Sequence, residues 1–165
     1  MPRAGPARAL PPEVETFIQR GVSVLLGTRD AALVPELVRA WGPRVSRDPA
    51  RLSLCVASAV SARTLGNLED NGRMAATFAS PGNSTAIQIW GRCIETGPAR
   101  RLDLEAVEAH RDAFVELNKG LGVPRAFIEA LWQRELAGSE QMVTVRFVAE
   151  QIFNQTPGPD AGSPL

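Results

Sequence analysis

The chain has 165 residues, enough for one domain that buries about two-thirds of its unfolded surface without disulfide or metal staples. Eighteen basic residues balance eighteen acidic ones, so no net field recruits nucleic acid or an anionic membrane, and an anion must be held by local geometry. Tyrosine is absent and histidine occurs once, at His110, which excludes a phenol acid and a multi-histidine metal centre.

Residues 1–12, with four prolines among them, read as a loose start. They lack the apolar core of a signal peptide, and no apolar stretch approaches the ~18 residues of a membrane span. The expectation is therefore a soluble cytoplasmic protein. Pro12 and Gly21 bracket a short helix over Glu13 to Arg20. Val22 to Thr28 is an apolar, β-branched run, and a turn at Arg29 and Asp30 leads into a second strand from Leu33 to Trp41. Gly42 and Pro43 interrupt that strand as a bulge or bend before Val45. The RDPA turn at Arg47 to Ala50 feeds a third strand, Arg51 to Val56.

A helix then runs from Ser58 to Asp70, closed by Asn71 and Gly72, followed by strands at Arg73 to Ala79 and Thr85 to Glu95 around an SPGNS turn. Helices follow at Leu104 to Lys119 and Pro124 to Glu135, and two further strands at Met142 to Val148 and Gln151 to Asn154. In the first of these helices Leu104, Val107, Phe114, Val115 and Leu117 form the apolar stripe. Arg111 and Asp112 beside His110 make it a solvated or rim residue, and no nucleophile-elbow pattern accompanies any serine. Cys55 and Cys93 lie in apolar strand-like runs and read as small buried hydrophobes of a reducing compartment.

The pattern predicts an α+β fold: a mostly antiparallel split β-barrel with flanking helices. A single domain spans residues 13–155, with a helical pair inserted at 102–136 and a Pro/Gly-rich tail at 156–165 that adds no regular element and is mobile or draped over a neighbouring surface. LSLCVA and VSVLLG are apolar on both faces, so those strands are covered twice or meet a second subunit.

The segment from Arg51 to Gly91 carries the functional signal. A strand running into a helix leaves backbone N–H groups at the positive end of the helix dipole, and Ser58, Ser61, Thr64 and Arg63 add hydroxyls and a guanidinium there, as a phosphate requires. A serine-capped helix with a solvated arginine fits the same residues. Trp41 and Trp90 suit either a ring pocket or packing, and Trp132 reads as helix packing.

The order of helix, three strands, SARTLGNLEDNGRMAATF, a Pro-Gly turn and a strand ending in Gly91 resembles the FMN-binding split barrel of the pyridoxamine 5'-phosphate oxidase-like proteins. The resemblance covers roughly Glu13 to Glu95 and Met142 to Asn154. It implies that Ser58, Ser61, Arg63, Thr64 and Asn67 lie along the flavin-phosphate helix, that Arg39 stands at the second-strand clamp, and that Gln88 and Trp90 contact the ring. The chain departs from the pattern at Pro43, which replaces a clamping lysine, at Thr64, which replaces the helix lysine, and in lacking the C-terminal substrate-binding arginine and histidine. It is a divergent branch, and oxidation of pyridoxamine phosphate itself is not expected.

The resemblance implies FMN as cofactor and a flavin-dependent oxidoreductase acting on a small redox substrate, with no catalytic side chain identified and no metal. The alternative is a non-catalytic module for flavin, haem or another planar ligand. The implied assembly is a homodimer with the ligand site at the subunit interface, the second- and third-strand faces lying there, and no nucleic-acid or membrane partner.

Overall fold

The computed structural model describes residues 5–136 and 141–165, the side chains of residues 135 and 136 excepted. Helix α1 (Pro12–Ile18) precedes β1 (Ser23–Arg29), β2 (Pro35–Val45) and β3 (Arg51–Ala57). A 3-10 turn at Ser58–Val60 leads into α2 (Ala62–Asn71), then β4 (Arg73–Ala79) and β5 (Ala86–Pro98). Helices α3 (Arg101–Lys119) and α4 (Arg125–Leu136) are followed by β6 (Met142–Asn154). The strands close a barrel in the order β1-β2-β3-β6-β5-β4, with antiparallel neighbours throughout.

The expected α+β barrel is present, and the Gly42-Pro43 interruption is a register shift between Trp41 and Arg44 inside one longer strand. Several expectations change. The last two strands are one continuous strand, because β6 pairs with β3 through its first half and with β5 almost throughout, passing a register shift opposite Trp90 and Gly91. Gly91 is required there: a Cβ would lie 2.4 Å from the Val148 carbonyl oxygen. The tail contains no long element, yet it is tied back by Leu165 N–H to the Ile152 carbonyl at 2.9 Å and by a bridge between Phe153 and Pro164. Residues 1–4 of the expected loose start lie outside the described residues; in the rest of it, Arg8 N–H bonds the Ala149 carbonyl and Leu10 is buried.

The core fills the barrel. Val24, Leu26, Val38, Leu54, Val56, Ala76, Phe78, Ile89, Val145, Phe147 and Ile152 alternate inward along the strands. Val14 and Ile18 of α1 join this cluster at the Ser23 end of β1, and Leu65 and Leu68 of α2 join it at the Thr28 end, so the two helices close opposite mouths of the barrel.

The outer face of β2 and β3 is covered by the helical pair. Gly21 and Gly42 sit at positive φ where α3 crosses; a Cβ would lie 2.5 Å from the Ala113 carbonyl carbon at the first and 2.8 Å from the Val107 nitrogen at the second. His110 fastens the contact. Its Nδ1 accepts from the Gly42 N–H at 3.3 Å, which leaves the proton on Nε2 to donate to the Val22 carbonyl at 2.9 Å. Trp41 packs edge-on against His110, Phe114 and Trp132 at centroid distances of 5.7, 5.8 and 4.8 Å. The solvated reading of His110 is thus corrected: its charged neighbours in sequence face water while the ring turns inward.

Asp103, also buried, anchors the start of α3. It accepts from the Arg100 N–H, Arg44, Arg146 and the Thr144 hydroxyl at 2.9–3.2 Å. Burial alone would raise its carboxyl pKa, but these hydrogen bonds and the two guanidinium charges hold it below the usual range. The face of β2 and β3 expected to meet a second subunit is therefore filled by this chain's own α3 and α4 over Trp41, Cys55 and Ala57.

Burial pushes the His110 pKa from 6.5 down to about 4. The unfolded chain takes up a proton that the folded ring refuses, so this contribution is complete above pH ~6.5 and is lost as pH falls toward ~4, about 3 kcal/mol in all. Denaturant unfolding at stepped pH is expected to show stability falling between pH ~6.5 and ~5, before most carboxylates titrate, and His110→Ala should remove that slope. A flat wild-type profile in this window would place the ring in solvent.

Candidate functional site

Helix α2 crosses the Thr28 mouth of the barrel from β2 over β1 to β4, and three contacts mark its path. Arg63 pairs with Glu36 of β2 at 3.2 Å, Asn67 Nδ2 donates to the Thr28 hydroxyl of β1 at 3.1 Å, and Asn71 Nδ2 donates to the Arg29 carbonyl at 2.8 Å. Gly72, at φ 66°, ends the helix in the left-handed region.

The start of α2 has no side-chain cap. Ser61 occupies the cap position but is fully buried, and its hydroxyl donates backward to the Ala57 carbonyl at 2.7 Å. No side chain therefore satisfies the first-turn N–H groups. Thr64, one turn in, is also fully buried and its Oγ1 has no hydrogen-bond partner. Ser58 is half-buried, with its N–H on the Gln141 carbonyl. Ser58, Ser61, Arg63 and Thr64 thus lie around one helix start, but contrary to the expectation Ser61 and Thr64 present no hydroxyl at the surface. Only Arg63 presents a charge at the surface, and it faces the Glu36 carboxylate.

Arg39, Gln88 and Trp90 lie elsewhere, on the outer face of the barrel. Register places Arg39, Leu25, Thr77, Gln88 and Phe153 in one cross-strand row, with Leu37, Gly27, Ala75, Trp90 and Gln151 in the next. Three strand spacings separate Arg39 from Gln88, about 14 Å. Gln88 Nε2 donates to the Thr77 hydroxyl at 3.0 Å, and its Oε1 accepts from the Trp90 indole at 2.7 Å. Trp90 leans on Phe153 with centroids 5.1 Å apart and remains 48% exposed. Arg39 donates to Ser23 Oγ at 3.3 Å and its guanidinium lies 5.9 Å from the Trp41 ring centroid, beside the covered face. Arg39, expected at the phosphate clamp, and Gln88, expected at the ring, thus stand on separate strands of the outer face with β1 and β4 between them.

A cavity of about 620 Å3 opens beside these rows, between the far end of α2 and β6. Gly27, Ala75 and Gly91 keep its floor low, Trp90 forms a wall, and Arg29 and Arg73 bring positive charge to the negative end of the α2 dipole. Beneath it Glu150 is held by Arg73 at 2.9 Å and Arg92 at 3.4 Å. Sequence reasoning missed this cavity, because its floor is defined by absent side chains brought together from three strands. Only Trp90 signalled it.

Among the described residues no group of histidines, cysteines and carboxylates could hold a metal. Burial pushes the Cys55 thiol up to about 11 and raises Cys93 as well, so neither is a ready thiolate. No described helix is long and apolar enough to cross a membrane.

No known protein family's sequence profile matches the chain, and no curated protein sequence matches it. Solved structures do. An F420 reductase superposes with a TM-score of 0.57 at 14% identity, covering 87% of this chain and 98% of that one. A protein of Lactobacillus delbrueckii assigned as a pyridoxamine 5'-phosphate oxidase superposes with a TM-score of 0.53 at 16% identity, covering 88% and 93%. HutZ, the haem storage protein of Vibrio cholerae, gives 0.50 at 16% identity, covering 89% and 95%. At such identities the likeness establishes the fold alone: the split β-barrel that these proteins share.

The orphaned Thr64 hydroxyl has a measurable consequence. Thr64→Val removes a buried, unsatisfied polar atom and is expected to raise stability by about 1 kcal/mol, whereas Ser61→Ala deletes a made hydrogen bond and should lower it by about 1 kcal/mol. Thermal unfolding of the two variants checks the opposite signs; equal losses would mean that the Thr64 hydroxyl is bonded in solution.

Proposed function

We propose that the chain binds FMN, with the phosphate at the start of α2 and the ring against the outer sheet face, and that it acts as a flavin-dependent oxidoreductase on a small redox substrate. The observation carrying this reading is the uncapped first turn of α2, whose N–H groups lack a side-chain partner while a guanidinium stands beside them. Bound FMN supplies hydride or electron transfer. The chain's part is to anchor the phosphate through the backbone of residues 62–64 and Arg63, and to keep water from one ring face with apolar sheet. Glu36 opposes the anion, so Arg63 must turn from that carboxylate to the phosphate; its exposure makes the exchange easy.

The exposed apolar surface at Leu37 and Trp90 supports a homodimer in which one copy gives the helix start and the other gives Gln88 and Trp90. With α3 and α4 covering β2 and β3 around Trp41 and Cys55, the face left for pairing is that of β1, β4, β5 and the first residues of β2, where Leu37 is 61% exposed and Trp90 48%. The second reading is storage of haem or another planar ligand. The cavity beside Trp90 favours it, and HutZ has the same fold. His110 would not ligate iron there, since both its ring nitrogens are bonded inside the α3 contact.

The visible spectrum of the purified protein separates flavin from haem. Titration then tests the phosphate: Arg63→Ala should weaken FMN about tenfold, as one partly exposed charge-assisted bond implies, and leave riboflavin unchanged. Equal losses for both flavins would move the phosphate elsewhere. Light scattering should give two chain masses for the wild type and one for Leu37→Glu; a monomeric wild type at micromolar concentration would refute the shared site.

A further inference from the structure

A second concave site lies far from α2. Along β2, Glu36 and Arg44 are eight residues apart, roughly 26 Å of strand. At the Arg44 end a cavity of about 460 Å3 forms between the β2–β3 turn, β5, β6 and the start of α3. Arg44, Arg51, Arg100, Arg101 and Arg146 line it against two carboxylates, Glu95 and Asp103. Asp48 and Glu105 at the rim bring the carboxylates to four, so the five arginines leave one positive charge in excess, gathered in one recess of a chain that balances overall.

The arginines are built in. Asp103, 3% exposed, holds Arg44 and Arg146 side by side at 2.9 and 3.2 Å, Glu95 meets Arg146 at 3.4 Å, and these two carboxylates do not occupy every N–H of two guanidinium forks. Arg51 and Arg101 pair with Asp48 and Glu105 at the rim, exposed contacts that a stronger anion displaces readily. Arg100 and Arg101 also sit at the N-terminus of a 19-residue helix, where the dipole disfavours cations. Folding alone gives no reason to collect five guanidinium groups there; an anion does. Ile94 and Leu102, 41% and 52% exposed, add apolar surface at the edge for the body of an organic ligand.

We propose that this groove binds a small molecule through a pyrophosphate group, independently of the flavin reading. The concave shape and the carboxylates at its rim select a compact anion over a nucleic-acid backbone. The probe is inorganic pyrophosphate, titrated calorimetrically into the full chain at constant ionic strength. Saturable binding is expected, weakened at least tenfold in Arg51→Gln/Arg101→Gln with the melting temperature unchanged, and retained in Arg63→Ala. No saturable heat, or full affinity in the double variant, overturns the proposal. Loss in Arg63→Ala alone would put the anion at α2 and also overturn it. Random duplex DNA that competes at comparable affinity would make the occupant nucleic acid and refute the small-molecule claim.

Discussion

The arrangement rests on the close docking of α3 across β2, and that docking rests on a neutral imidazole. His110 can be buried only because each ring nitrogen meets a backbone group of matching polarity, a donor at Gly42 and an acceptor at Val22. The helix reaches that depth because Gly21 and Gly42 carry no Cβ. Trp41 is then enclosed by aromatic rings, and the apolar outer surface around Trp41, Cys55 and Ala57 is covered by this chain itself. The barrel's outside is divided by this single contact: one face belongs to α3 and α4, and the other, across β1, β4 and β5, stays open beside Trp90.

Polar groups within the fold follow the same economy. Asp103 and Glu150 are both buried acids, and each organises two arginines from separate elements. Removing either acid would leave guanidinium groups facing one another, so each pair of arginines depends on its carboxylate for position. Charges are thereby gathered at two places on a chain whose total is neutral. The helix starts differ accordingly: α3 is closed by Asp103 against the Arg100 N–H, whereas α2 has no such closure.

Most of the barrel was legible in the sequence, since alternation, turn chemistry and the Gly42-Pro43 interruption are local properties of the chain. Gly91 was legible as a landmark, although its reason, contact with the Val148 carbonyl, is visible only in the fold. His110 was not legible. Neighbours in a helix sequence point in different directions, so Arg111 and Asp112 say little about the face His110 occupies. The two-sided apolar strands posed a choice between a covering helix and a second subunit that sequence periodicity could not make. For the candidate site, the convergence at the start of α2 was readable from one continuous segment. The distance between Arg39 and Gln88 was not, because it depends on β1 and β4 lying between their strands.

That strand order constrains any ligand. A barrel puts β2 and β5 on either side of the β1–β4 pair, so residues adjacent in a motif-based picture stand on separate parts of one curved surface. Curvature makes the separation worse for a flat ring, which can lie along one tangent only. In the proposed reading, a ring against Trp90 would have its polar edge toward Gln88 and Thr77, and a phosphate at α2 would lie at the β2 side of the same face. Two half-sites of this kind on opposite flanks of one sheet become a single enclosed site when two such sheets face each other about a two-fold axis. In the proposed reading the helical cover over β2 and β3 would flank that site, and its position is set by the depth to which His110 draws α3.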